Sequence, residues 1–363
     1  MRVSVPTIPD AVLRAAHTQP RPSPAFAVDR IARFLASGNA AVITGAGVSV
    51  DSGIRAYRGA KGSYLNPNYK PIFYHELMEP TLRGAGFRQR YRLRSYLGYP
   101  PVRDAQPNPT HFALAALQYS SVAPHLITQN VDGLHQKAIS RVWDEELRAK
   151  GILELHGTLH KVRCTHGHQM DRQTFQEMLG EANPQWKAFA EELERSGSRP
   201  RTNPDGDVVL PEGTRYDQFV VPECPSCLLE NRLNTMIKPE VIFFGESIPA
   251  EVKDRSFEII DRHDRLFIVG TTLATFSAFR LVKHAVEKRK PVLVLNLGPT
   301  RARDLAGVDI VDIASGMVMR DVVKQVLGSE ADKNREIAKM LESGVVKAPP
   351  EDDDDPLPRP IGL

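Results

Sequence analysis

A glycine-rich loop is the first of four short segments whose side chains are suited to chemistry. Residues Gly45 to Gly53 read Gly-Ala-Gly-Val-Ser-Val-Asp-Ser-Gly and follow a short apolar run, Ala40 to Thr44. Glycines let backbone N–H groups approach a pyrophosphate, and the start of a helix favours its negative charge. Val50 stands at the third glycine position of G-x-G-x-x-G, so the loop fits either a nucleotide site or a tight turn. Arg58, a few residues on, is placed to reach a phosphate.

Two further segments carry polar groups directly after apolar runs. Gln129, Asn130 and Asp132 follow the run His125 to Thr128. Such groups are costly to bury without partners, and an amide with a carboxylate suits recognition of a carboxamide such as nicotinamide. A capped turn, with Asn130 or Asp132 as helix N-cap, is the alternative. His156 ends another apolar stretch, and its position after a strand favours a general base over a structural histidine.

The fourth segment contains metal-type ligands. Cys224 and Cys227 have C-x-x-C spacing, and Cys164 lies sixty residues earlier in a run that also holds His166 and His168. A redox pair would fit C-x-x-C, but a third thiol with adjacent histidines favours tetrahedral zinc. The predicted ligands are Cys164, His168, Cys224 and Cys227, with His166 in reserve. No open coordination position is evident, so the zinc is expected to be structural.

Composition narrows the function classes. The 363 residues carry 47 basic and 44 acidic side chains, a net charge of +3, which gives no electrostatic case for direct nucleic-acid or membrane binding. No apolar run approaches the roughly 18 to 20 residues of a membrane helix. Three cysteines make a disulfide framework a poor interpretation. Residues 1–27 form an N-terminal arm that contains three basic residues, Arg2, Arg14 and Arg21, and one acidic residue, Asp10. Such an arm is either a mitochondrial presequence or a plain disordered segment.

These segments must be held by an α/β scaffold. Short apolar strands alternate with helices, and this predicts a parallel sheet covered on both faces, with the ligand crevice at the carboxyl ends of its strands. Further strands are predicted over 266–269 and 292–295, and helices over 28–37, 110–117 and 277–288. Residues about 71–104, helical or irregular, and about 161–231, with no clear buried strand, are assigned to a smaller inserted module.

The predicted organisation is therefore a catalytic domain over 28–330 between two tails. Its large part comprises about 28–70, 105–160 and 232–330, and the small module carries the zinc site. Residues 331–363 are expected to be a helix remnant and a disordered acidic, proline-rich tail. Lys238 to Glu246 is apolar and β-prone, so it is either an edge that accepts an extended peptide or an ordinary buried strand.

Taken together, these segments resemble the sirtuin family. The resemblance covers residues 28–325, and its order of motifs includes Gly45 to Ile54 with Tyr57-Arg58-Gly59, Thr128 to Asp132, Leu155-His156-Gly157, the paired zinc half-sites, Lys238 to Gly245, Gly270-Thr-Thr272 and Asn296-Leu-Gly298. Within the family, the segments 106–111, 203–207 and 296–301 resemble the class II branch, whose eukaryotic members are typically mitochondrial.

The resemblance implies a Rossmann-type large domain and a cleft that holds NAD and an acylated lysine of a protein substrate. It implies catalytic roles for His156 and Asn130, with His156 as general base. The implied cofactor-binding residues are Gly45, Ala46, Gly47, Ser49, Tyr57, Arg58, Gln129, Asn130, Val131, Asp132, Gly270, Thr271, Thr272, Asn296, Leu297 and Gly298. The implied peptide-binding residues are Val241, Phe243, Phe244 and Gly245, and Tyr91 and Arg94 resemble a pair that selects acidic acyl groups.

The implied reaction removes an acyl group from lysine. The acyl oxygen attacks the ribose carbon as nicotinamide leaves, and His156 helps to activate a ribose hydroxyl, which yields lysine and O-acyl-ADP-ribose. The chain departs from the family pattern at Arg55-Ala56, where Pro-Asp is usual, at Gly167, where the first zinc half-site lacks its second cysteine, and at Ile139, where glycine is expected.

Alternative functions remain open at this point. On the same fold, mono-ADP-ribosyl transfer to protein would give a modified protein in place of O-acyl-ADP-ribose. A non-catalytic NAD-binding or zinc-binding module is motivated by Ala56 and the altered half-site, whereas a dehydrogenase is disfavoured by the missing third glycine. The expected location is the mitochondrial matrix, with nucleus or cytoplasm as the alternative.

Overall fold

The fold is described from a computed structural model of the full chain. The structure describes residues 5–9, 12, 21–58, 62, 71–197, 205, 208, 210, 213–233 and 235–349. The acidic, proline-rich tail predicted from residue 350 onward lies outside these residues. No helix in this described part of the chain combines the length and the hydropathy needed to span a lipid bilayer.

The larger of two sheets has six parallel strands and confirms the predicted α/β class. Its strands are β1 (Ala40–Thr44), β2 (His125–Thr128), β3 (Ile152–Glu154), β7 (Arg265–Val269), β8 (Val292–Leu295) and β9 (Val308–Val311). They lie in the order β3-β2-β1-β7-β8-β9, and each neighbouring pair is parallel. This is the doubly wound order of a Rossmann fold, in which strand order reverses between β1 and β7.

Helices cover both faces of this sheet. They are α1 (Pro24–Leu35), α4 (Pro109–Tyr119), α5 (Leu134–Ile139), α6 (Glu145–Gly151), α10 (Ala250–Arg262), α11 (Phe276–Glu287), α12 (Met319–Leu327), α13 (Glu330–Lys333) and α14 (Arg335–Glu342), with α2 (Tyr74–Met78), α3 (Leu82–Asp104), α7 (Arg172–Ala182), α8 (Pro184–Ser196) and α9 (Pro225–Leu229) elsewhere. Alternate residues of β1 enter opposite cores, Val42 on one face and Ile43 on the other, as expected of a strand buried on both sides.

A second sheet of three antiparallel strands lies beside the first. It consists of β5 (Gln169–Asp171), β4 (Gly157–Cys164) and β6 (Ile237–Val241), in that order. Residues 161–231 were expected to hold no clear buried strand; β4 continues to Cys164 and β5 follows, and exposed residues occur in both. The burial of β4 alternates, so its apolar signal is weaker than that of the parallel strands. Helices α3, α7 and α8 supply apolar side chains to the core beside this sheet.

Both ends of the described chain pack against the domain. Ser23 caps α1 and Pro24 occupies its first turn, so the helix begins earlier than predicted. Residues of the N-terminal arm are also ordered, since Ile8 and Val12 are buried against Ala274. The helix predicted as a remnant, α14, buries its apolar face in the main core. Beyond it, the amide of Val345 donates to Pro107 O at 3.1 Å and that of Lys347 to Asp51 O at 2.8 Å.

Candidate active site and metal cluster

The loops that follow β1 and β7 are in backbone contact where the strand order reverses. The amide of Gly47 donates to Gly270 O at 2.8 Å, and that of Gly45 to Val269 O at 3.2 Å. A Cβ atom on Gly47 would lie 2.7 Å from the Gly270 carbonyl oxygen, and one on Gly270 would lie 2.6 Å from the nitrogen of Val48. At this point the two loops pack backbone against backbone, with no room for a side chain at either glycine. Ligands of open α/β sheets bind at such a switch point.

Gln129 connects three of the loops around this crevice. Its side-chain amide donates to Thr44 O at 3.1 Å and to the hydroxyl of Thr271 at 2.9 Å. Its amide oxygen accepts a hydrogen bond from the hydroxyl of Thr275 at 3.1 Å. The loops after β1, β2 and β7 are thereby held in register by one side chain.

Ser49 is the centre of a buried polar network. Its hydroxyl donates to the Asp132 carboxylate at 2.8 Å and accepts from the Asn130 amide at 3.0 Å. Asp132 also accepts from the amide of Leu134 at 3.0 Å. The other neighbour is His111, whose Nε2 lies 3.4 Å from Ser49 Oγ. The N-cap of helix α5 is Gly133 rather than Asn130 or Asp132, although the Asp132 carboxylate accepts from the first helical amide, that of Leu134.

Burial dominates the ionisation of these groups. It raises the pKa of Asp132, against the opposing effect of its hydrogen bonds from Leu134 and Ser49. It lowers the pKa of His135 to about 3, and together with the field of His135 it lowers the pKa of His111 well below its ordinary value. Both imidazoles are therefore neutral at pH 7. His135 Nε2 is bonded to the hydroxyl of Thr44 at 2.9 Å.

His156 follows β3 and lies at the same edge of the sheet. Its Nδ1 is 3.1 Å from Gln129 O, and its Nε2 is 2.8 Å from the hydroxyl oxygen of Ser277. Burial lowers its pKa to about 4, the Gln129 carbonyl raises it, and Arg280 lowers it. The imidazole is neutral at pH 7, which is the state that a general base requires. The preceding Glu154 is also desolvated, and its pKa is raised to about 7 by burial and by Asp132.

A cleft lies above this network. Among the described residues it is lined by Ala46, Ser49, Ile54, Tyr57, Gln129, Asn130, Val131 and Asp132. Apart from Ile54, these are residues that the sequence assigned to cofactor binding. The predicted phosphate contact, Arg58, donates to the carbonyl oxygen of Pro6 at 2.5 Å. Arg58 is thus bonded to the N-terminal arm, directly after Tyr57, which lines the cleft.

The remaining predicted cofactor residues lie in the loops after β7 and β8. Thr272 O accepts from the amide of Arg301 at 2.9 Å, which joins the two loops. Thr271 is buried and bonded to Gln129, as described above. Asn296 is buried, and its side-chain amide donates to the carbonyls of its own loop, including Leu297 O at 3.3 Å and Gly298 O at 3.2 Å.

The predicted peptide segment adjoins His156. The amide of Ile242 donates to His156 O at 2.9 Å, directly after edge strand β6. The Phe243 ring packs edge-on against Tyr91, with 5.4 Å between ring centroids. Phe244 O accepts from the amide of Tyr74 at 2.9 Å, so part of this edge is already paired.

Further along the segment, Gly245 has a φ of +85°. Tyr91 and Arg94 are the pair predicted to select acidic acyl groups. Tyr91 contacts the peptide segment through the Phe243 ring. Arg94 is buried, and its Nε donates to Val208 O at 2.6 Å.

The four predicted metal ligands converge at one end of the second sheet. The ligand atoms of Cys164, His168, Cys224 and Cys227 all lie within 4.8 Å of one another. His168 Nδ1 is 3.5, 3.8 and 3.3 Å from the sulfurs of Cys164, Cys224 and Cys227. The reserve ligand, His166, is exposed, and its Nε2 is bonded to Leu233 O at 2.7 Å instead.

Sequence reasoning missed several residues of the site. His111, Thr275 and Ser277 contact predicted site residues from elsewhere in the chain, His111 from helix α4 and the other two from the start of helix α11. His111 ends the Pro-Asn-Pro-Thr-His motif, and its position in that motif was the one available signal. Thr275 and Ser277 begin a helix that carries no motif, so their partners follow from the fold alone.

Comparisons with known proteins agree with this arrangement. Residues 45–277 match the sequence model of the Sir2 family. The chain is 42% identical over 294 residues to "NAD-dependent protein deacylase SIR4" of Batrachochytrium dendrobatidis, covering 80% of this chain and 90% of that protein. It is 36% identical over 286 residues to "NAD-dependent protein lipoamidase sirtuin-4, mitochondrial" of Bos taurus, covering 78% and 82%. The solved structure of a Sir2 homologue–NAD complex aligns with a TM-score of 0.57 and 26% identity, covering 83% of this chain and 94% of that one.

Proposed function

The chain belongs to the Sir2 family, which is the sirtuin family named from its motifs, and from this premise we propose that it is an NAD-dependent protein-lysine deacylase. The observation that carries the proposal is the convergence of a neutral His156 with Gln129, Asn130 and Asp132 at the switch point of the sheet. The substrates are NAD and an acylated lysine, and the products are lysine, nicotinamide and O-acyl-ADP-ribose. Relatives named as deacylases and deacetylases support the same reaction.

The cleft residues suit a dinucleotide that is split at its nicotinamide end. Gly47 and Gly270 let the loops after β1 and β7 pack backbone against backbone, and a glycine-rich loop of this kind can offer its other N–H groups to a pyrophosphate. Asn130 and Asp132, held by Ser49, present amide and carboxylate atoms of the kind that bind a carboxamide. NAD supplies the bond that breaks, and the protein supplies positioning and a base.

The role that we propose for His156 is to accept a proton from a ribose hydroxyl. Its Nδ1–H is bonded to Gln129 O, so the lone pair of the neutral ring is on Nε2. Its low pKa, about 4, keeps this lone pair available at pH 7. Segment 241–245 adjoins the same histidine through Ile242, and we propose that it binds the substrate peptide by strand addition.

We further propose that the cysteine and histidine cluster holds one structural zinc ion. Tetrahedral zinc, with bonds of about 2.3 Å to sulfur and about 2.0 Å to nitrogen, separates its ligand atoms by about 3.5 to 3.8 Å. Four of the six separations are 3.3 to 3.8 Å, which fits that donor set, and all six are within 4.8 Å. Glu230 accepts from His168 Nε2 at 3.1 Å. A carboxylate bonded in this way to the second nitrogen of a zinc-ligating histidine fixes the orientation of the imidazole.

The cluster is too far from the reacting bond to act in the chemistry. Strand β4 begins beside His156 and ends at Cys164, and at about 3.3 Å per residue this spans roughly 25 Å.

We also propose a mitochondrial location, supported by the arginine-rich arm and by the name of the Bos taurus relative. Fractionation of cells that express the full chain tests it, and a purely cytosolic protein would refute it.

The test of the proposed reaction is nicotinamide release from NAD by the purified protein, with and without lysine peptides that carry acetyl, longer or acidic acyl groups. We expect release that requires an acyl peptide and falls at least 100-fold in His156→Ala. His75→Ala, which changes an exposed histidine, serves as the control and keeps full activity. Product analysis separates the alternatives: ADP-ribosylated protein indicates transfer, and NAD binding without release indicates a non-catalytic module.

The same peptide panel tests the acyl preference. We propose that Tyr91 and Arg94 favour acidic acyl groups, as their resemblance to a selective pair implies. Arg94→Leu should then reduce turnover of the acidic substrate more than that of the acetyl substrate. Equal losses for both substrates would instead agree with a structural role, since Arg94 donates to Val208 O in the buried small module.

A further inference from the structure

The imidazole of His156 is held at both ring nitrogens, and one partner comes from a helix far along the chain. Ser277, the second residue of α11, has its hydroxyl oxygen 2.8 Å from His156 Nε2, across a separation of 121 residues. Gln129 O is 3.1 Å from the other nitrogen, Nδ1. The contact with Ser277 thus engages the nitrogen that a substrate hydroxyl must reach.

The direction of these hydrogen bonds follows from the donor inventory. A backbone carbonyl only accepts, so Nδ1 carries the hydrogen in the bond to Gln129 O. A neutral imidazole has one N–H, which leaves a lone pair on Nε2. The hydroxyl of Ser277 must therefore donate to Nε2. When Nε2 is protonated, the hydroxyl can turn and accept from Nε2–H, so the contact fixes the ring in both protonation states.

The first turn of α11 holds two site residues at once. Thr275, its N-cap, donates to the side-chain oxygen of Gln129 at 3.1 Å, and Ser277 donates to His156. Two hydroxyls two residues apart thereby join the loop after β7 to the loops after β2 and β3. Phe276 between them is exposed, so the turn is defined by these polar contacts rather than by burial of that ring.

The charged groups around the ring are few in the described structure. Arg280, one turn further along α11, acts on His156 and disfavours its protonation. Glu154, on β3, interacts instead with Asp132, Lys161 and Glu240. The two hydrogen bonds are thus the principal specific contacts of the imidazole nitrogens.

We propose that Ser277 is a positioning residue for the general base, which fixes the imidazole and occupies Nε2 until a substrate hydroxyl replaces it. This inference rests on the proposed function of His156. In the reaction, the proton of the substrate hydroxyl passes to Nε2 as its O–H bond breaks and an N–H bond forms. Ser277 keeps its own hydrogen throughout and turns aside.

The first test needs no substrate. In protein with ¹⁵N-labelled histidine, NMR at pH 7 reports the Nε2 resonance of His156. In Ser277→Ala this resonance should move toward that of an unbonded nitrogen, whereas Ser277→Thr should retain the wild-type position. Ser256→Ala is the matched control, because its buried hydroxyl bonds only within its own helix. An unchanged resonance in Ser277→Ala overturns the proposal.

The second test follows activity against pH. The hydroxyl of Ser277 can accept from a protonated Nε2–H, and this charge-assisted bond is stronger than the neutral one. Its loss should therefore lower the pKa of His156, so the acid limb of kcat/KM in Ser277→Ala begins about half a pH unit lower. We expect kcat to fall about five- to tenfold with little change in KM for the peptide, and Ser277→Thr to restore both. Ser277→Cys, a weaker donor, gives an intermediate shift if the alanine variant does not fold.

The two proposals fail in different ways. If wild type shows no acyl-dependent nicotinamide release, or His156→Ala retains it, the proposed function is wrong while the NMR test of the hydrogen bond still stands. If wild type and His156→Ala behave as expected but Ser277→Ala matches wild type in resonance and pH profile, the inference about Ser277 alone is refuted.

Discussion

The buried histidines make a specific prediction about acid stability, and His135 is the cleanest case. Burial lowers its pKa from 6.5 to about 3 in the folded protein. Between these values the unfolded chain binds a proton that the folded protein does not, so stability falls as pH falls through this window. For one such histidine, the free energy of unfolding decreases by about 2 kcal/mol from pH 7 to pH 5.

Other groups contribute over the same interval. His156, with a pKa of about 4, adds a loss of similar size. Glu154 acts in the opposite direction, because its pKa is raised from 4.5 to about 7, and protonation of the folded protein offsets about 2 kcal/mol as pH falls. Total stability against pH is therefore a sum of opposing effects, and the contribution of His135 has to be isolated by difference.

The assay is urea unfolding of wild type and His135→Gln at pH 7 and pH 5. The variant loses the bond to Thr44, so it should be less stable at pH 7. The gap between the two proteins should shrink by about 2 kcal/mol at pH 5, because the variant has no proton to exclude at this position. His75→Gln, at an exposed histidine, should leave the gap constant. A wild-type-to-variant gap that is equal at both pH values would refute the burial of a neutral His135.

Three further outcomes are expected. His168→Ala should purify with well under one zinc per chain and a lowered Tm, whereas His166→Ala should keep both, since its imidazole is bonded outside the cluster; equal zinc in the two variants would contradict the ligand set. Gly157→Ala should lose several kcal/mol, because its Cβ would lie 1.7 Å from a carbonyl oxygen, while Gly86→Ala, with open space around it, should be neutral or stabilising; similar Tm values for both would contradict this. Arg92→Met should be neutral or stabilising in urea unfolding, since two buried guanidinium nitrogens lack hydrogen-bond partners in the described structure, and a large loss would contradict it.

The parallel sheet was predictable because its strands are buried on both faces. Strands such as β1, β7 and β8 read as uninterrupted apolar runs, and their loops carry the motifs. The edge strand β9 was not predicted, because Asp309 interrupts its apolar run and three of its four residues are only partly buried. Strand β4 was missed in part for a similar reason, since polar residues alternate along it.

The site was predictable where its chemistry is local in sequence. The set of Gln129, Asn130 and Asp132 lies within four residues, and its types already suggest a carboxamide site. The partners that hold it come from far away: Ser49 reaches Asp132 across 83 residues, and Ser277 reaches His156 across 121. No spacing rule connects such residues, because their contacts depend on the order of strands in the sheet.

The segment that follows α14 holds the glycine-rich loop in place from outside the region that matches the family. The match to the Sir2 family stops at residue 277, yet Val345 and Lys347 donate to Pro107 O and Asp51 O. Asp51 belongs to the glycine-rich loop whose other side lines the cleft. A chain cut after residue 342 would remove both donors from the back of that loop, so the segment through Lys347 supports the glycine-rich loop although it lies 70 residues beyond the family match.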